Sequence, residues 1–494
     1  MLKKLRIIIA AIFFAGLTLL MLDISGALHT WLGWMAKIQF IPAVLALNAA
    51  VIAGLVILTL LFGRAYCSFI CPLGITQDII NWFSTKRKGK KARFAYKKPV
   101  KTVCRYLFLA AFIVLIVLGF TSIAMIIEPY STFGRTVTNL LGPLYGWCNN
   151  LLAAITSHFD SYAFYSVDVF IKSLPAFIVA AAVFVIIFIM AWKGGREWCN
   201  TVCPVGTVLG LISRISLFKP VIDTDKCVNC GVCGKKCKGS CIDTANHAID
   251  YSRCVVCMDC INNCSQGAIR YTARRRKNQE SSPAVDTAKR SSLAIVAMAA
   301  SAATLKAAEE HVDGGFAVLE DKKVPAREVS PKPAGSQSVK NFTSKCTACQ
   351  LCVAECPNHV LRPSTKLETF MQPEMSYERG YCRPECTRCS EVCPAGAIKK
   401  ITREEKSSIQ IGHAVWIPDN CVVNTDGVEC GNCARHCPVG AIRMMPLFPG
   451  QDHSLRIPSI NTERCIGCGA CENLCPVRPL SAIYVEGHKV HKEN

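Results

Sequence analysis

The chain has 494 residues, 31 of them cysteine, with 51% hydrophobic residues and a formal net charge of +21. Such charge would suit nucleic acid if it formed one basic face. Much of it lies in loops beside long apolar stretches, where membrane topology and anionic headgroups account for it, so nucleic acid is excluded as a partner. Cysteines two residues apart are poorly placed for bridging geometry, which excludes a disulfide scaffold.

From the N-terminus, apolar stretches near 5–22, 40–62, 102–127 and 174–192 each approach or exceed the roughly 20 residues a helix needs to cross a bilayer. Four transmembrane helices are expected. The first reads as a retained anchor rather than a cleaved signal, because no small-residue cleavage site follows Leu22. Lys3, Lys4 and Arg6 precede it, and Lys86, Arg87, Lys88, Lys90, Lys91, Arg93, Lys97, Lys98 and Lys101 fill the loop between the second and third. Basic residues stay on the cytoplasmic side, which puts the N-terminus, that loop and the chain after the fourth stretch inside. Residues 128–173, nearly free of Lys and Arg, face outward.

Glu128-Pro129 ends the third stretch on that outer side. Its carboxylate is a candidate proton acceptor for a quinol, with an interfacial helix anchor as the alternative. His29 and His158 read as ordinary interfacial residues. After the second and fourth stretches stand Cys67-Ser-Phe-Ile-Cys71-Pro72 and Cys199-Asn-Thr-Val-Cys203-Pro204. At helix starts, N–H groups and the dipole lower thiol pKa. Two readings stay open: Cys67, Cys71, Cys199 and Cys203 hold one additional metal or cluster, or the pairs brace loops or form a dithiol without metal.

Mid-chain, Cys227, Cys230, Cys233 and Cys237, with a spare Cys241, are followed by Cys254, Cys257, Cys260 and Cys264. Four further runs close the chain: Cys346, Cys349, Cys352 and Cys356; Cys382, Cys386, Cys389 and Cys393; Cys421, Cys430, Cys433 and Cys437; Cys465, Cys468, Cys471 and Cys475. In each of these four a proline follows the last cysteine. That is the bacterial ferredoxin pattern, in which three thiolates grip one [4Fe–4S] cluster and the fourth usually grips its neighbour. Structural zinc instead uses separated pairs. Six runs predict about six clusters, which take 24 of the 31 cysteines. Cys237 is followed by Lys238 rather than proline, and Cys241 lies one turn farther on. Either is a candidate crossing ligand, with Cys237 keeping the usual gap.

An apolar pair recurs after the fourth cysteine: Ala268-Ile269, Ala397-Ile398, Ala441-Ile442 and Ala482-Ile483. Each is predicted to open a short strand that covers the cluster and excludes water. Between the two cysteine-rich regions, Arg274, Arg275, Arg276, Lys277, Lys289 and Arg290 precede an Ala-rich stretch over 291–305. A basic flank on one side predicts a fifth crossing, or a twin-arginine-type export signal. A crossing places everything after it outside. Residues 306–341, rich in Pro, Ser and Lys, read as an extended linker.

The expected domains are therefore a membrane domain over 1–220, a cytoplasmic two-cluster ferredoxin over 221–272, a basic flank and fifth helix or signal over 273–308, a linker over 309–340, and an extracytoplasmic four-cluster ferredoxin over 341–494. The fold class is an α-helical membrane domain plus α+β ferredoxin-like modules binding [4Fe–4S] clusters.

On the two Cys-x3-Cys-Pro motifs and the mid-chain runs, the membrane portion resembles the NapH-type membrane polyferredoxins, a group that takes in the C-terminal part of NosR-type proteins. Residues 341–485 look like the NapG/MauM-type extracytoplasmic ferredoxins, so the chain resembles a fusion of the two. The resemblance implies a conduit in the bacterial cytoplasmic membrane, drawing electrons from the quinol pool or a cytoplasmic donor and passing them to an extracytoplasmic reductase. There is no room for the flavin-binding region of NosR-type proteins, so covalent flavin is not expected. No C-x-x-C-H run occurs, which argues against c-type haem. Nor is there a dinucleotide fingerprint, phosphate loop, nucleophile elbow or zinc-protease helix, which favours an electron-transfer subunit over a stand-alone enzyme. Two alternatives are an assembly or maturation factor that supplies electrons to another protein's metal centre, and a redox sensor. A sensor needs one labile cluster, whereas six suggest a relay.

Overall fold

The computed structural model describes residues 2–23, 26–88, 94, 96, 100–160, 164–273, 312–313, 317–318, 320–448 and 454–493. The expected fifth crossing at 291–305 lies outside the described residues.

The first apolar stretch forms α1 (Leu2–Met21), followed by α2 (Leu28–Lys37). The second does not make one helix. It divides into α3 (Phe40–Leu45) and α4 (Ala49–Phe62) because Leu47 turns left-handed at φ 54° and Asn48 caps α4, accepting from the Val51 N–H at 3.3 Å. Next come the short α5 (Ala65–Phe69) and the long α6 (Pro72–Lys88), with Cys71 at the break and Pro72 opening the second helix. The third stretch forms α7 (Val100–Val117) and stops there rather than at 127, since Gly119 at φ 86° turns the chain into α8 (Thr121–Ala124).

The segment 128–173, expected to face outward, is itself largely helical among its described residues. Glu128 caps α9 (Pro129–Thr136), which runs through a π-turn at Val137–Leu141 into α10 (Gly142–His158). Then α11 (Leu174–Gly194), α12 (Glu197–Thr201) and α13 (Pro204–Ile212) repeat the order of α4, α5 and α6. Among the described residues α1 and α11 are long and apolar enough to cross a membrane, while α4 and α7 fall among the shorter apolar helices. The four spans read from hydropathy thus become two full-length helices and two interrupted ones. A hydropathy window sums side chains and does not register the backbone breaks at Leu47 and Gly119.

In the mid-chain unit β1 (Phe218–Ile222), β2 (Ile242–Asp243), β3 (Ala248–Ile249) and β4 (Ile269–Ala273) pair antiparallel as β1 with β4 and β2 with β3. Val312–Asp313 and Ala317–Val318 pair as β5 and β6. In the C-terminal unit β7 (Leu361–Pro363) pairs with β8 (Pro373–Met375), and β9 (Ile409–Trp416), β10 (Ile442–Pro446), β11 (Arg456–Ile460) and β12 (Ile483–Glu493) pair as β9 with β12 and β10 with β11. Ile269, Ile442 and Ile483 open β4, β10 and β12. Ala397-Ile398 is as buried as the other three pairs but opens no strand. There the Lys399 N–H donates to the Gly335 carbonyl at 2.9 Å, so an incoming segment takes that edge.

That segment lies in the expected linker, and from Glu320 on it belongs to the C-terminal unit. Lys322 Nζ donates to the Glu472 carbonyl at 2.6 Å, Arg327 Nε to the Val485 carbonyl at 2.8 Å, and the Val329 N–H to Glu486 Oε1 at 2.6 Å. Polar backbone contacts hold it, and apolar composition does not reveal those.

The two ferredoxin units sit at opposite ends of α1. At its start, Lys3 pairs with Asp259 of the mid-chain unit at 2.7 Å. Beyond its end, Gly26 lies against Arg388 and Glu355 of the C-terminal unit. A helix of 20 residues spans about 30 Å, which is the thickness of a bilayer's hydrocarbon core. The C-terminal unit packs closely on α9, where a Cβ on Gly134 would lie 2.4 Å from the Cys349 carbonyl. Asn139 Nδ2 to Gln350 Oε1 (2.7 Å), Ser122 Oγ to the Glu368 carbonyl (3.0 Å) and Lys172 Nζ to the Val353 carbonyl (2.6 Å) add to the contact from the π-turn, α8 and the segment before α11.

One mostly buried carboxylate ties α1, α6, α12 and the mid-chain unit together. Asp78 accepts from Arg6 Nη1 at 2.7 Å and from Arg196 Nε and Nη2 at 2.9 and 2.8 Å, with Lys238 Nζ at 3.5 Å. Removing it leaves the buried Arg6 and Arg196 without their counter-ion, a loss of about 3–5 kcal/mol, while Lys238 keeps Asp259 at 3.1 Å. Asp78→Ala is expected to lower the thermal unfolding midpoint of the detergent-purified protein by at least several degrees. Asp78→Glu is expected to recover most of that loss.

Candidate metal centres

Four of the six runs wrap in the same way. The second residue after the first cysteine and the fourth after it are left-handed: Asn229 and Gly231, Val256 and Met258, Ala348 and Gln350, Gly467 and Gly469. A short helix carrying the third cysteine follows each loop. Alternation of this kind turns successive N–H groups into one concavity, a nest for negative charge. Val256, a β-branched residue at φ 54°, is held in a conformation that is costly for its type. The runs at Cys382 and Cys421 have longer first gaps and lack this alternation.

Cavity linings give the crossing partners. One cavity in the mid-chain unit is lined by Cys227, Cys230, Cys233 and Cys264. Its neighbour is lined by Cys254, Cys257 and Cys260 with both Cys237 and Cys241. The last two sulfurs are 3.4 Å apart, so both candidates reach the same place. In the C-terminal unit Cys382, Cys386 and Cys389 share a cavity with Cys356. Cys346, Cys349 and Cys352 have Cys393 as their neighbour. Cys465 and Cys468 have Cys437, while Cys433 has Cys421, Cys430 and Cys475. Every fourth cysteine thus reaches across to an adjacent run. The Cys382 N–H donates to the Cys468 carbonyl at 2.9 Å, which links the two halves of this unit.

These sets fit a cluster better than a single ion. Zinc holds its sulfurs at ~2.3 Å from one centre. Among the described residues no group of three or more Cys, His, Asp or Glu side chains closes to such a geometry. Sets of four thiols around a larger space suit a cubane.

The two Cys-x3-Cys-Pro motifs come together. Cys67, Cys71, Cys199 and Cys203 are each 4% exposed, and Cys203 has the other three as neighbours. The repeat around them is longer than the motif, reading Gly63-Arg64-Ala65-Tyr66-Cys67 and Gly195-Arg196-Glu197-Trp198-Cys199. Arg64 Nη2 donates to the Cys199 carbonyl at 3.0 Å, and Arg196 Nη1 to the Cys67 carbonyl at 2.7 Å, so each repeat braces the other's cysteine. Gly74 and Gly206 admit this packing, since a Cβ would lie 2.3 Å and 2.2 Å from the Cys67 and Cys199 carbonyls. Sequence reasoning missed both arginines, although the Gly-Arg-x-aromatic-Cys repeat signals them.

Glu128 lies elsewhere than at a water-facing edge. It is 1% exposed, its Oε2 accepts from the Ser131 N–H, and Tyr130 and Arg135 are its neighbours. The hydroxyl of Tyr130 is buried without a hydrogen-bond partner. Arg64 reaches the Ser252 carbonyl at 3.1 Å, beside Cys254. On the other side Tyr66 neighbours Cys71 and Glu128, and Tyr130 neighbours Glu128, Cys349 and Cys393. Buried residues therefore connect the mid-chain cysteines through the paired motifs to the first C-terminal run.

Lys406 is a further residue that the cysteine pattern does not mark. It is 6% exposed, and its Nζ lies 3.2 Å from Cys382 Sγ while also donating to the Arg383 and Cys386 carbonyls. The neighbouring cysteines hold its ammonium above the usual lysine range despite burial. A cation on a ligand sulfur favours the reduced cluster. Lys406→Met is expected to lower one midpoint potential by roughly 60 mV, equivalent to ~1.4 kcal/mol, in an anaerobic EPR redox titration. The other signals should stay in place.

Comparison with known proteins accords with this geometry. A family described as a 4Fe-4S binding domain matches residues 45–91 and 176–222, the two repeats that carry the Cys-x3-Cys-Pro motifs. A 4Fe-4S dicluster domain matches residues 345–397 and 428–478. The chain is similar to YccM of Escherichia coli, a candidate electron transport protein by its name, at 24% identity over 45% of this chain and 55% of that protein. It thus spans about half the length of that relative. It is also similar to the ferredoxin-type protein NapF of Escherichia coli, at 28% identity over 32% of this chain and 87% of NapF. With the methylamine utilization ferredoxin-type protein MauM of Methylobacillus flagellatus it shares 32% identity over 33% of this chain and 70% of MauM. With these thiol sets and this similarity, the chain belongs to the MauM family of ferredoxin-type iron–sulfur electron-transfer proteins.

Proposed function

We propose that this chain is a membrane-spanning electron relay, a fusion of a NapH-type membrane part with a NapG/MauM-type four-cluster part. The observation that carries the reading is the arrangement along α1, with one ferredoxin unit at each end and the four motif cysteines between them. The relay takes electrons from quinol or a cytoplasmic donor and delivers them to an extracytoplasmic reductase. Each cluster, when bound, carries electrons singly. The chain itself holds the thiolates, excludes water and balances their charge.

In this reading the mid-chain unit holds two [4Fe–4S] clusters: one on Cys227, Cys230, Cys233 and Cys264, the other on Cys254, Cys257, Cys260 and either Cys237 or Cys241. Four more occupy the C-terminal unit, with Cys393, Cys356, Cys475 and Cys437 as the crossing ligands. Cys67, Cys71, Cys199 and Cys203 hold a seventh centre, with Arg64 and Arg196 offsetting its negative charge. Supporting this are the burial of all four cysteines, the exchange of arginines between the repeats and the match of both repeats to a 4Fe-4S binding family. Glu128 serves as the α9 cap.

Anaerobically purified protein is expected to contain about 28 iron atoms per chain, four for each of seven sites. The double variant Cys71→Ser/Cys203→Ser should lose about four of them while the ferredoxin-type EPR signals remain. Stoichiometric zinc with little iron would overturn the relay, and an unchanged count in the double variant would remove the seventh centre alone.

Sidedness has its own test. A periplasm-dependent reporter fused after Asn494 should be active, and one fused after Tyr271 inactive, by the distribution of basic loops. If both report the same side, the transmembrane arrangement is wrong.

A further inference from the structure

Beside the second C-terminal thiol set lies a cavity of about 470 Å³, within the range of sites that hold cofactor-sized molecules. Its apolar walls include Met21 and Leu22 at the end of α1, Pro143 of α10, and Val169 and Ile171 before α11. Cys356, which reaches across to Cys382, Cys386 and Cys389, lines it directly.

Three polar atoms that line it lack partners among the described residues. Thr138 Oγ1, Glu355 Oε1 and His359 Nδ1 are buried with no hydrogen bond. Buried polar atoms left unpaired are costly, which points to a ligand or water that completes them. Phe170 also lines the space, with its ring edge-on to His359 at 5.4 Å and the Arg379 guanidinium 4.1 Å from its centroid.

The approach is apolar. Tyr145 and Ile171, which line the cavity, are themselves 44% and 52% exposed. An apolar and aromatic mouth of this kind suits a membrane interface, where a molecule dissolved in the bilayer meets the cavity directly.

We propose that this cavity binds the headgroup of a membrane hydroquinone, which deepens the quinol reading above and rests on it. The ring lies between the apolar walls and Phe170, and its two oxygens meet the unpaired polar groups. A hydroquinone bound there loses two electrons and two protons and leaves as the quinone. The electrons go singly to the oxidised clusters on the Cys356 and Cys393 sides. Both protons pass to water at the open side, where Tyr165 and Asp168 are exposed. Entry is thus displaced from Glu128, which does not line the cavity.

The test uses an azido-quinone photolabel and duroquinol on the full, iron-loaded chain in detergent. The label should attach within 138–146, 165–172 or 354–359 and be displaced by duroquinol. Gly142→Phe should cut labelling about tenfold and slow duroquinol-driven bleaching of the clusters to match, with dithionite bleaching and iron content unchanged. A Cβ on Gly142 meets only the Val137 carbonyl at 3.8 Å, so the ring has room to enter. Thr138→Phe fills the same space from the π-turn and should act alike if Gly142→Phe fails to fold. If wild-type protein is bleached by duroquinol while labelling lies elsewhere and both filled variants behave as wild type, the cavity assignment is overturned and the quinol reading stands. A phospholipid retained in the cavity in place of the label overturns it too. If duroquinol never bleaches wild-type protein that dithionite does, the quinol reading itself is overturned.

Discussion

A cluster of four irons needs four thiolates facing one small volume, and a short loop can supply only three of them from one side. The fourth must arrive from a separate part of the chain. In both ferredoxin units it arrives from the adjacent run, so Cys264, Cys356, Cys393, Cys437 and Cys475 each tie one module to the next. The short strands, the buried Ala-Ile pairs and the left-handed loop residues are consequences of that crossing. Each loop has to turn tightly enough to present three sulfurs while its end departs for a neighbour.

In the proposed seventh centre the two Cys-x3-Cys-Pro motifs would meet the same demand with two thiolates from each repeat. No single loop could do it there, because α5 and α12 are only five residues each. Their arginines answer a second requirement. Sulfur-rich centres are anionic, and anions out of water need nearby positive charge. Arg64 and Arg196 are both fully buried and reach across the repeat boundary, and Arg196 is in turn held by Asp78. Lys406 does the comparable service for Cys382 at the far end of the chain.

Placement of these centres follows from α1 and α9. The first separates the ferredoxin units by its own length, and the second carries the C-terminal unit's first cysteine loop so closely that only glycine fits at 134. Between them lie Tyr66, Glu128 and Tyr130, buried and in sequence from one thiol set to the next. The cost of burying Glu128 is met in part by its hydrogen bond to the start of α9.

Cysteine spacing by itself determined the six ferredoxin runs and the class of cofactor, since ligand type and gap are local properties of the chain. Apolar length located the helices, and basic loops gave their expected sides. Tertiary structure decided what depends on distant contacts. It broke the second and third apolar stretches at backbone turns that a hydropathy sum does not register. It folded 320–340 onto the C-terminal unit through backbone hydrogen bonds and brought Cys237 and Cys241 equally to one cavity. It also moved Glu128 from an expected interface into the interior. Convergence of Cys67, Cys71, Cys199 and Cys203 was the open question in the sequence, because residues about 130 apart share a site only through packing. The paired arginines that mark it stand in plain view as a repeated Gly-Arg-x-aromatic-Cys, yet their purpose is visible only where each reaches the other repeat's carbonyl.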